Sequence, residues 1–378
     1  MIAGTDRYFQ IVRCFRDEDL RIDRQPEFIQ LDLEMSFATP EDVIFVIESL
    51  IKDVFKAVKN INLPPSFKRI TYREAIETYG TDKPDLRYGL KIHTLNDLFP
   101  KTTSKFLKPF LDQKLTVKGL MIDQLLSKTQ LSELEETARQ NHLPSLGFAK
   151  YENGNWSGSI ASQLSDEEKM HLLEEFKIQD KGTLLISGGE TKMIAQALGA
   201  IRTDLGRMFA LANPNSYEIL WVVDFPLFEW SDEEERYVAA HHPFTMPKKE
   251  SLNDFDQNHK DSLANSYDLV LNGFEIGGGS QRITDLELQQ RMFNAIGLSK
   301  LEVDSNFGWF LEAYKFGAPY HSGIALGLDR IAMILSGGES IRDVIAFPKN
   351  SSGVDPMSEA PNIISETQLQ ELALQTKK

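Results

Sequence analysis

Three stretches of the sequence carry charged side chains that could do chemistry, and the first of them suits a nucleotide beside an amino-bearing substrate. The first runs from Arg13 to Phe37 and opens with a charged segment that contains Arg16, Arg21 and Arg24. Their planar guanidinium groups match the geometry of phosphate and carboxylate oxygens. Phe28 follows them and offers a flat ring on which a base could stack. A solvated hairpin whose charges serve only solubility is the alternative.

The second stretch surrounds a predicted tight turn at Asn272-Gly273, a strong two-residue hairpin signal. Pairing about that turn sets Val270 opposite Glu275 and Asp268 opposite Gly277. Asp268 and Glu275 then share one face as diagonal neighbours, about 7–8 Å apart at the backbone. Two carboxylates so placed could hold a divalent cation of the magnesium type, which prefers oxygen ligands and keeps waters. Two exposed acids on a hairpin are the alternative.

Glycines and an arginine follow the second acid of this hairpin. Gly277, Gly278 and Gly279 remove side chains where a ligand could approach the backbone. Arg282 lies just beyond them and could reach a carboxylate. These neighbours favour a binding site.

The third stretch, from His321 to Leu335, places a cation at the start of a helix. Gly323, Ala325 and Gly327 form a small-residue strand that leads into an apolar helix, and Arg330 falls in the first turn of that helix. The helix macrodipole disfavours a cation there unless the cation binds an anion, and phosphate is the obvious one. A surface arginine on a core helix is the alternative.

His241 and His242 raise the question of a metal site. Adjacent residues of a strand point to opposite faces, so only one imidazole is expected to enter a given site and face the substrate. No further His or Cys lies at ligand spacing, which disfavours zinc.

A hairpin and a helix are expected to position the first stretch. Tyr8 to Phe15 is predicted to be one strand, and Ile29 to Phe37 alternates apolar and polar residues as a second strand with one buried face. The apolar positions of this second strand are Ile29, Leu31, Leu33, Met35 and Phe37, and the polar ones are Gln30, Asp32, Glu34 and Ser36. Thr39-Pro40 opens an amphipathic helix that reaches Val58 and is expected to pack on the apolar face of the hairpin.

The organisation of the chain suggests an insertion. Residues 87–214 contain their own predicted helices and strands and few candidate catalytic clusters. The composition seen before residue 87 returns at the buried strand Ile219–Phe225. We therefore expect a catalytic domain in two parts, residues 1–86 and 215–378, interrupted by an α+β domain at residues 87–214.

Composition excludes several classes of protein. With 378 residues, 41% hydrophobic and 26% charged, the chain is expected to be globular, and no apolar run approaches the roughly 18–20 residues of a membrane span. The net charge of −15 argues against general, non-specific binding of nucleic acid. The single Cys14 cannot form an internal disulfide, which favours the cytoplasm, and core packing is its expected role.

Taken together, the stretches resemble the motifs of one enzyme family. RCFRDEDLRIDRQPEF is similar to motif 2 of the class II aminoacyl-tRNA synthetases in its aspartyl form, and GIALGLDRIAMIL is similar to motif 3. NGFEIGGGSQRI and HHPFT resemble the segments that surround aspartate in that family, and the inserted region resembles the extra domain of the bacterial type. The resemblance covers nearly the whole chain. It implies an α+β fold, with a class II synthetase-like antiparallel β-sheet of six or seven strands flanked by helices and an inserted α+β domain.

The family's reaction is also implied by the resemblance. L-aspartate and ATP would form aspartyl-adenylate, and the aspartyl group would pass to the 3′ end of tRNA, with Mg²⁺ as cofactor, in a cytoplasmic enzyme that is a homodimer at full length. The implied ATP-binding residues are Arg16, Asp17, Glu18, Gln25, Phe28, Glu275, Gly327, Leu328, Asp329 and Arg330. The implied aspartate-binding residues are Arg16, Gln30, Asp32, His241 and Arg282, and the implied metal ligands are Asp268 and Glu275. Catalysis would fall to Arg16 at the α-phosphate and Arg330 at the γ-phosphate.

Asparagine would leave the charge of Arg282 unpaired, at a cost of ~3–5 kcal/mol.

The sequence departs from the family's pattern at its start. It has no counterpart of the N-terminal β-barrel that reads the anticodon, of motif 1, which builds the dimer interface, or of the substrate-contacting loop before the first strand, so we expect a fragment that begins just upstream of motif 2. Two rival hypotheses stay open. One is a paralogue that adenylates or amidates to make a free metabolite, which the resemblance of the insertion disfavours. The other is a catalytically silent module that binds a partner or RNA, which the intact arginines and acids disfavour.

Overall fold

The computed structural model describes residues 1–18 and 20–376; Asp19, in the predicted charged loop, lies outside them. In chain order the strands are β1 (Arg7–Phe15), β2 (Glu27–Ser36), β3 (Lys68–Thr71), β4 (Ile92–Thr94), β5 (Thr116–Ile122), β6 (Gly147–Glu152), β7 (Asn155–Ser157), β8 (Lys181–Gly189), β9 (Ile219–Val223), β10 (Phe228–Ser231), β11 (Arg236–Ala239), β12 (Ser266–Leu271), β13 (Phe274–Gln281) and β14 (His321–Gly327). The α-helices are α1 (Pro40–Lys59), α2 (Tyr72–Tyr79), α3 (Lys108–Asp112), α4 (Lys128–Gln140), α5 (Asp166–Phe176), α6 (Thr191–Met208), α7 (Leu286–Ala295), α8 (Lys300–Tyr314), α9 (Leu328–Ser336) and α10 (Glu366–Glu371). None of these helices is both long enough and apolar enough to cross a membrane.

The larger sheet carries the three stretches singled out in the sequence. Within the described residues it has seven strands in the order β1-β2-β14-β13-β12-β9-β3. Every neighbouring pair is antiparallel except β3 and β9, which are parallel at one edge. The expectation of a six- or seven-stranded antiparallel sheet flanked by helices is confirmed. The predicted small-residue strand is β14, and it pairs with β2 of the first hairpin and with β13 of the second. The three stretches therefore lie side by side in one sheet.

The alternation along β2 sorts its side chains as predicted. Leu31, Leu33 and Met35 join the buried cluster under the sheet, so the polar row faces the other side. Phe37 is the exception to the predicted apolar face. It follows the end of β2 with a φ of 56°. Its ring is 63% exposed and meets the ring of Tyr320 edge-on at 5.7 Å.

Helix α1 covers the apolar face of the sheet, which agrees with the prediction for β2 but not for β1. It begins after Thr39, and its buried stripe includes Val43, Ile47 and Phe55. This stripe packs in one cluster with residues of β2, β9, β12, β13 and β14. Strand β1 is left largely uncovered, with Phe9, Ile11 and Phe15 each about two-thirds exposed or more, and Val58 near the end of the helix is also exposed. The predicted packing of the helix on the whole hairpin is therefore wrong for β1, because β1 is the outermost strand.

A second, separate sheet forms in the middle of the chain. Its order is β4-β5-β8-β6-β7, and its two clusters of apolar side chains draw only on residues 90 to 211. The clusters of the larger sheet draw on residues before 87 and after 216. The domain boundaries at 86/87 and 214/215 remain a proposal, which this separation of the clusters supports.

Candidate active site

A cavity of about 480 Å³ opens on the polar face of the larger sheet. Arg16, Arg282 and Arg330 all line it, although they come from three distant parts of the chain. The other predicted site residues in its lining are Glu18, Gln25, Phe28, Gln30, His241, Asp268, Glu275, Gly327 and Asp329. Asp17, Asp32 and Leu328 are outside the lining; Asp32 pairs across the sheet with Ala325, which is part of it. The structure thus brings the three stretches together around one space.

One end of the cavity is built by the β1–β2 connection. The guanidinium carbon of Arg16 lies 5.3 Å from the centre of the Phe28 ring, a cation–π contact. Glu18 forms an ion pair with Arg24 at 3.2 Å. An arginine fork and an aromatic face therefore stand together at the mouth, where a planar base with an attached phosphate would find both partners.

Arg330 is not the surface arginine that the sequence left open as an alternative. Its side chain is 20% exposed and donates hydrogen bonds to the carbonyl oxygens of Asp23 and Glu275 at 3.0 and 2.7 Å. It also pairs with the Asp23 carboxylate at 3.3 Å. The anion expected at this helix start is thus present as Asp23, a cavity residue that the sequence analysis did not select.

Two predicted ATP residues use hydrogen bonds to hold the walls of the cavity. The carboxylate of Asp329 accepts the backbone N–H of Ile29 at 2.6 Å, which fixes β2 beside Phe28. The side-chain amide of Gln25 donates to the carbonyl of Lys349 and accepts its N–H, at 3.1 and 2.7 Å. Gln25 is 2% exposed. Both residues line the cavity, and their contacts show that they also position the chain around it.

The predicted acid pair is present, but its register differs from the prediction. Val270 pairs with Glu275 as expected, whereas Asp268 pairs with Gly278 and not with Gly277. A β-bulge between these pairs adds Ile276, whose side chain turns into the core and is 1% exposed. The turn signal at Asn272-Gly273 does not reveal this extra residue, so the register could not be predicted beyond the first pairs.

The bulge brings the acids together around a glycine. A Cβ at Gly278 would lie 2.8 Å from Oδ1 of Asp268 and 3.6 Å from Oε1 of Glu275, so a side chain here would crowd the Asp268 carboxylate. Burial, the nearby Glu275 and then Asp82 raise the pKa of the Asp268 carboxyl well above its usual value, and Lys83 opposes them. Such a pair is poorly satisfied without a cation. In the described part of the chain, no group of three His, Cys, Asp or Glu side chains is arranged to hold a metal, so a metal here would need further oxygens from substrate or water.

Arg282 is held by a residue that the sequence analysis did not assign. Its Nη2 donates to Oε1 of Glu34 at 2.7 Å, and its Nη1 donates to the Ser280 hydroxyl at 2.6 Å. The second oxygen of Glu34 is buried and has no hydrogen-bond partner within the described residues. Glu34 stands in the same polar row of β2 as Gln30 and Asp32, and that shared face was the available signal. The charge of Arg282 is therefore already balanced before any ligand binds.

Both histidines line the cavity, so the expectation that only one could enter the site is wrong. Strand β11 ends at Ala239, and the strict alternation of side chains ends with it. The ring of His241 meets that of Phe225 edge-on at 4.8 Å. His242, which was not predicted, contacts Nη1 of Arg282 through its Nε2 and also reaches the Ser280 hydroxyl at 3.2 Å.

Acid should destabilise the fold through His242. Burial, then Arg282 and His241, lower the pKa of this imidazole to about 3. An unfolded chain takes up the proton near pH 6.5 while the folded chain does not, so stability is present above about pH 6.5 and is lost as the pH falls. Between pH 7 and pH 5 this one group should cost about 2 kcal/mol of unfolding free energy. Denaturant unfolding of the wild type and of His242→Gln at both pH values measures it; an equal loss in the two proteins would contradict the assignment.

Cys14 and Asp32 occupy the floor beside the cavity. The Cys14 thiol donates to the side-chain oxygen of Gln30 at 3.1 Å, and Cys14 is only half-buried, so its predicted core packing is wrong. Burial and the neighbouring Glu34 raise the pKa of the Asp32 carboxyl, and Arg282 and Gln10 oppose them. The row Gln30, Asp32 and Glu34 thus runs along the polar side of β2 from the Phe28 end to Arg282.

Comparison with known proteins gives a family. Residues 1–351 match the family described as tRNA synthetases class II (D, K and N). Aspartate–tRNA ligase of Mycoplasma mycoides subsp. mycoides SC is 60% identical over 378 residues, which is 100% of this chain and 65% of that protein. Aspartate–tRNA(Asp/Asn) ligase of Caldanaerobacter subterraneus subsp. tengcongensis is 46% identical over 374 residues, 98% of this chain and 63% of the relative. The solved aspartyl tRNA synthetase from Entamoeba histolytica, at 16% identity and a TM-score of 0.46 over 94% of this chain and 50% of that one, is too distant to inform the site. The chain spans 63 to 65% of the length of the two curated relatives.

Proposed function

Because the chain belongs to the class II tRNA synthetases of the D, K and N type, we propose that it carries the aspartate-activating site of an aspartate–tRNA ligase. The observation that carries this proposal is the convergence of Arg16, Arg282 and Arg330 with the Asp268–Glu275 pair on one cavity. A cavity with cations at three points and a carboxylate pair between them suits a triphosphate beside a charged amino acid.

ATP would lie along the cavity from Phe28 to Arg330. Adenine would stack on Phe28 and take the place of the Arg16 guanidinium, which would turn to the α-phosphate. The γ-phosphate would take the place of the Asp23 carboxylate at Arg330. Asp17, Glu18, Gln25, Gly327, Leu328 and Asp329 would shape the same site through contacts and backbone position.

Aspartate would lie at the other end, along the polar row of β2. Its ammonium group would face Asp32 and Gln30, and its side-chain carboxylate would meet Arg282, with His241 and His242 beside it. Its α-carboxylate would then lie near Arg16 for in-line attack on the α-phosphate, which would form the new P–O bond of aspartyl-adenylate, break the bond between the α- and β-phosphates and release pyrophosphate. The chemistry needs no protein nucleophile, because positioning and stabilisation of phosphate charge are sufficient.

Asp268 and Glu275 fit a magnesium ion through the chemistry of their donor set and the space that Gly278 leaves between them. When bound, the ion would neutralise charge on the phosphate oxygens. The two acids would orient it on the cavity side of the sheet. In the second step the 3′-hydroxyl of a tRNA would attack the aspartyl carbonyl of the adenylate, which would form the aspartyl ester and release AMP. Protein synthesis would place this activity in the cytoplasm, and a homodimer would be the working form of the whole protein.

Glu34 changes the expected basis of specificity. Asparagine would not leave Arg282 unpaired, as the sequence analysis expected, because Glu34 already neutralises it. Asparagine would lose one charge-assisted hydrogen bond, worth about 1.5–3 kcal/mol, so discrimination of roughly ten- to a hundredfold is the expected range from this contact.

Pyrophosphate exchange into ATP tests the proposal. Exchange should require aspartate and a divalent cation, and asparagine should support it at least about tenfold less well. A titration with a non-hydrolysable aspartyl-adenylate analogue provides a second readout that does not need turnover. Exchange that is independent of amino acid, or equal for aspartate and asparagine, together with no binding of the analogue, would refute the assignment.

A further inference from the structure

Arg202, on helix α6 of the inserted region, is a buried arginine that the proposed reaction does not use. It is 1% exposed. Its Nε donates to the carbonyl of Leu90 at 2.6 Å, and its Nη2 donates to the carbonyls of Asp85 and Tyr88 at 2.7 and 3.1 Å. The guanidinium carbon also lies 4.3 Å from the centre of the Tyr88 ring and 5.1 Å from that of Tyr79. A buried guanidinium is costly unless its donors are satisfied, so these carbonyls are held close around it.

The three carbonyl partners belong to one segment, residues 80–90, called here the 80–90 loop. The loop leaves α2 at Gly80, which has a φ of 72°. A Cβ at Gly199 on α6 would lie 2.7 Å from the carbonyl oxygen of Gly80, so the two backbones meet directly. Helix α6 therefore fixes the beginning of the loop at Gly199 and its end at Arg202, which is about one helical turn further on.

The other side of the 80–90 loop reaches the hairpin of β12 and β13. A Cβ at Gly273, in the turn of that hairpin, would lie 3.2 Å from Cβ of Asp85. Asp85 is itself held by a fork of hydrogen bonds from Arg87, at 2.7 to 3.1 Å. Asp82, on the same loop, raises the pKa of the Asp268 carboxyl, and Lys83 lowers it. The contact between Asp85 and Gly273 makes the loop a support under the hairpin turn.

We propose that Arg202 is a positioning residue for the cation site formed by Asp268 and Glu275: it fixes the 80–90 loop, and the loop fixes the turn of the hairpin that carries both acids. The inserted region is then part of the support of the active site. The inference rests on the proposed function only in taking the acid pair as a cation site.

Lys118 provides a matched control for a role that is merely structural. It lies on β5 of the inserted region, is also 1% exposed, and donates to the carbonyl of Glu77 on α2 at 3.1 Å and to the Thr94 hydroxyl at 2.9 Å. Like Arg202 it is a buried cation of the inserted region that contacts the segment before it, here through the carbonyl of Glu77. Its bonds end on α2 and β4 and not on the 80–90 loop.

The experiment compares Arg202→Lys with Lys118→Met in the whole chain. A lysine keeps the charge but cannot fork onto three carbonyls. Mn²⁺ binding in the presence of ATP, followed by electron paramagnetic resonance, reports on the acid pair without turnover, and amide hydrogen exchange of residues 266–281 reports on the hairpin. Thermal unfolding is measured on the same samples.

Arg202→Lys should weaken Mn²⁺ binding about tenfold, in the range found when groups that orient metal ligands are removed, and should speed amide exchange in the hairpin. Lys118→Met should lower the unfolding temperature without changing Mn²⁺ affinity.

If Arg202→Lys does not fold, Asp85→Ala, which keeps the carbonyl that Arg202 binds, should change Mn²⁺ affinity in the same direction. Unchanged Mn²⁺ binding in Arg202→Lys, equal weakening in both variants, or no Mn²⁺ binding by the wild type would overturn the proposal. Mn²⁺ binding by a wild type that fails to exchange pyrophosphate would refute the proposed function alone.

Discussion

Replacing Arg282 by alanine should lower aspartate-dependent pyrophosphate exchange by about two to four orders of magnitude, because the variant would lose both charge-assisted hydrogen bonds of the guanidinium fork to the substrate carboxylate, each worth about 1.5–3 kcal/mol. The arginine is the one cation of the described cavity lining that contacts both Glu34 and His242. In the proposed complex it would also carry the carboxylate of the substrate. The loss should appear mainly in the dependence on aspartate concentration, and the KM for ATP should change little, because ATP is expected at the other end of the cavity.

The same change should also destabilise the fold, and the two effects can be separated. Without Arg282, the Glu34 carboxylate would be left buried with both oxygens unsatisfied, since one already has no partner in the described residues. The double variant Arg282→Ala, Glu34→Gln should recover stability but not exchange. Arg291→Ala is the matched control, because Arg291 pairs with Asp256 at 2.9 Å and does not line the cavity. Recovery of exchange in the double variant would mean that Arg282 serves only the fold.

Asp268→Asn should abolish cation-dependent exchange and, at neutral pH, raise the stability of the metal-free protein. Burial and Glu275 raise the pKa of Asp268, so the ionised carboxyl is unfavourable in the folded state. A group with a raised pKa contributes stability below its unfolded value, near pH 3.9, and loses that contribution as the pH rises through its folded value. The asparagine variant should therefore be more stable than the wild type at pH 7.5, and the difference should shrink toward pH 4.

Two measurements check this opposition between stability and activity. Calorimetric unfolding with and without Mg²⁺ and ATP should show that the ligands stabilise the wild type and not Asp268→Asn. Exchange should fall by at least about a hundredfold, the upper range for losing a metal-orienting group. Glu233→Gln, in the exposed turn between β10 and β11, removes a similar charge away from the cavity and should change neither quantity. Full exchange in Asp268→Asn would exclude the acid pair as the cation site.

Local chemistry in the sequence was enough to place the elements of the site. The period-two pattern predicted β2 and its polar face, Asn272-Gly273 predicted the hairpin turn, and both residues of that turn have the positive φ that such turns require. These features depend on neighbours within a few residues, which is why they could be predicted from the residues alone.

What surrounds each candidate group was decided only by the tertiary structure. The bulge at Ile276, whose side chain lies in the core under the sheet, moved the partner of Asp268 by one residue. Glu34 and Arg282 are 248 residues apart in the chain, Asp23 and Arg330 are 307 apart, and Arg202 reaches its carbonyls across more than 110 residues. No periodicity or turn signal links such positions, because their contacts form only when β14 draws the two hairpins together and α6 packs against the 80–90 loop. The sequence by itself determined which groups this protein brings to its sheet, and the folded arrangement decided which charges they meet there.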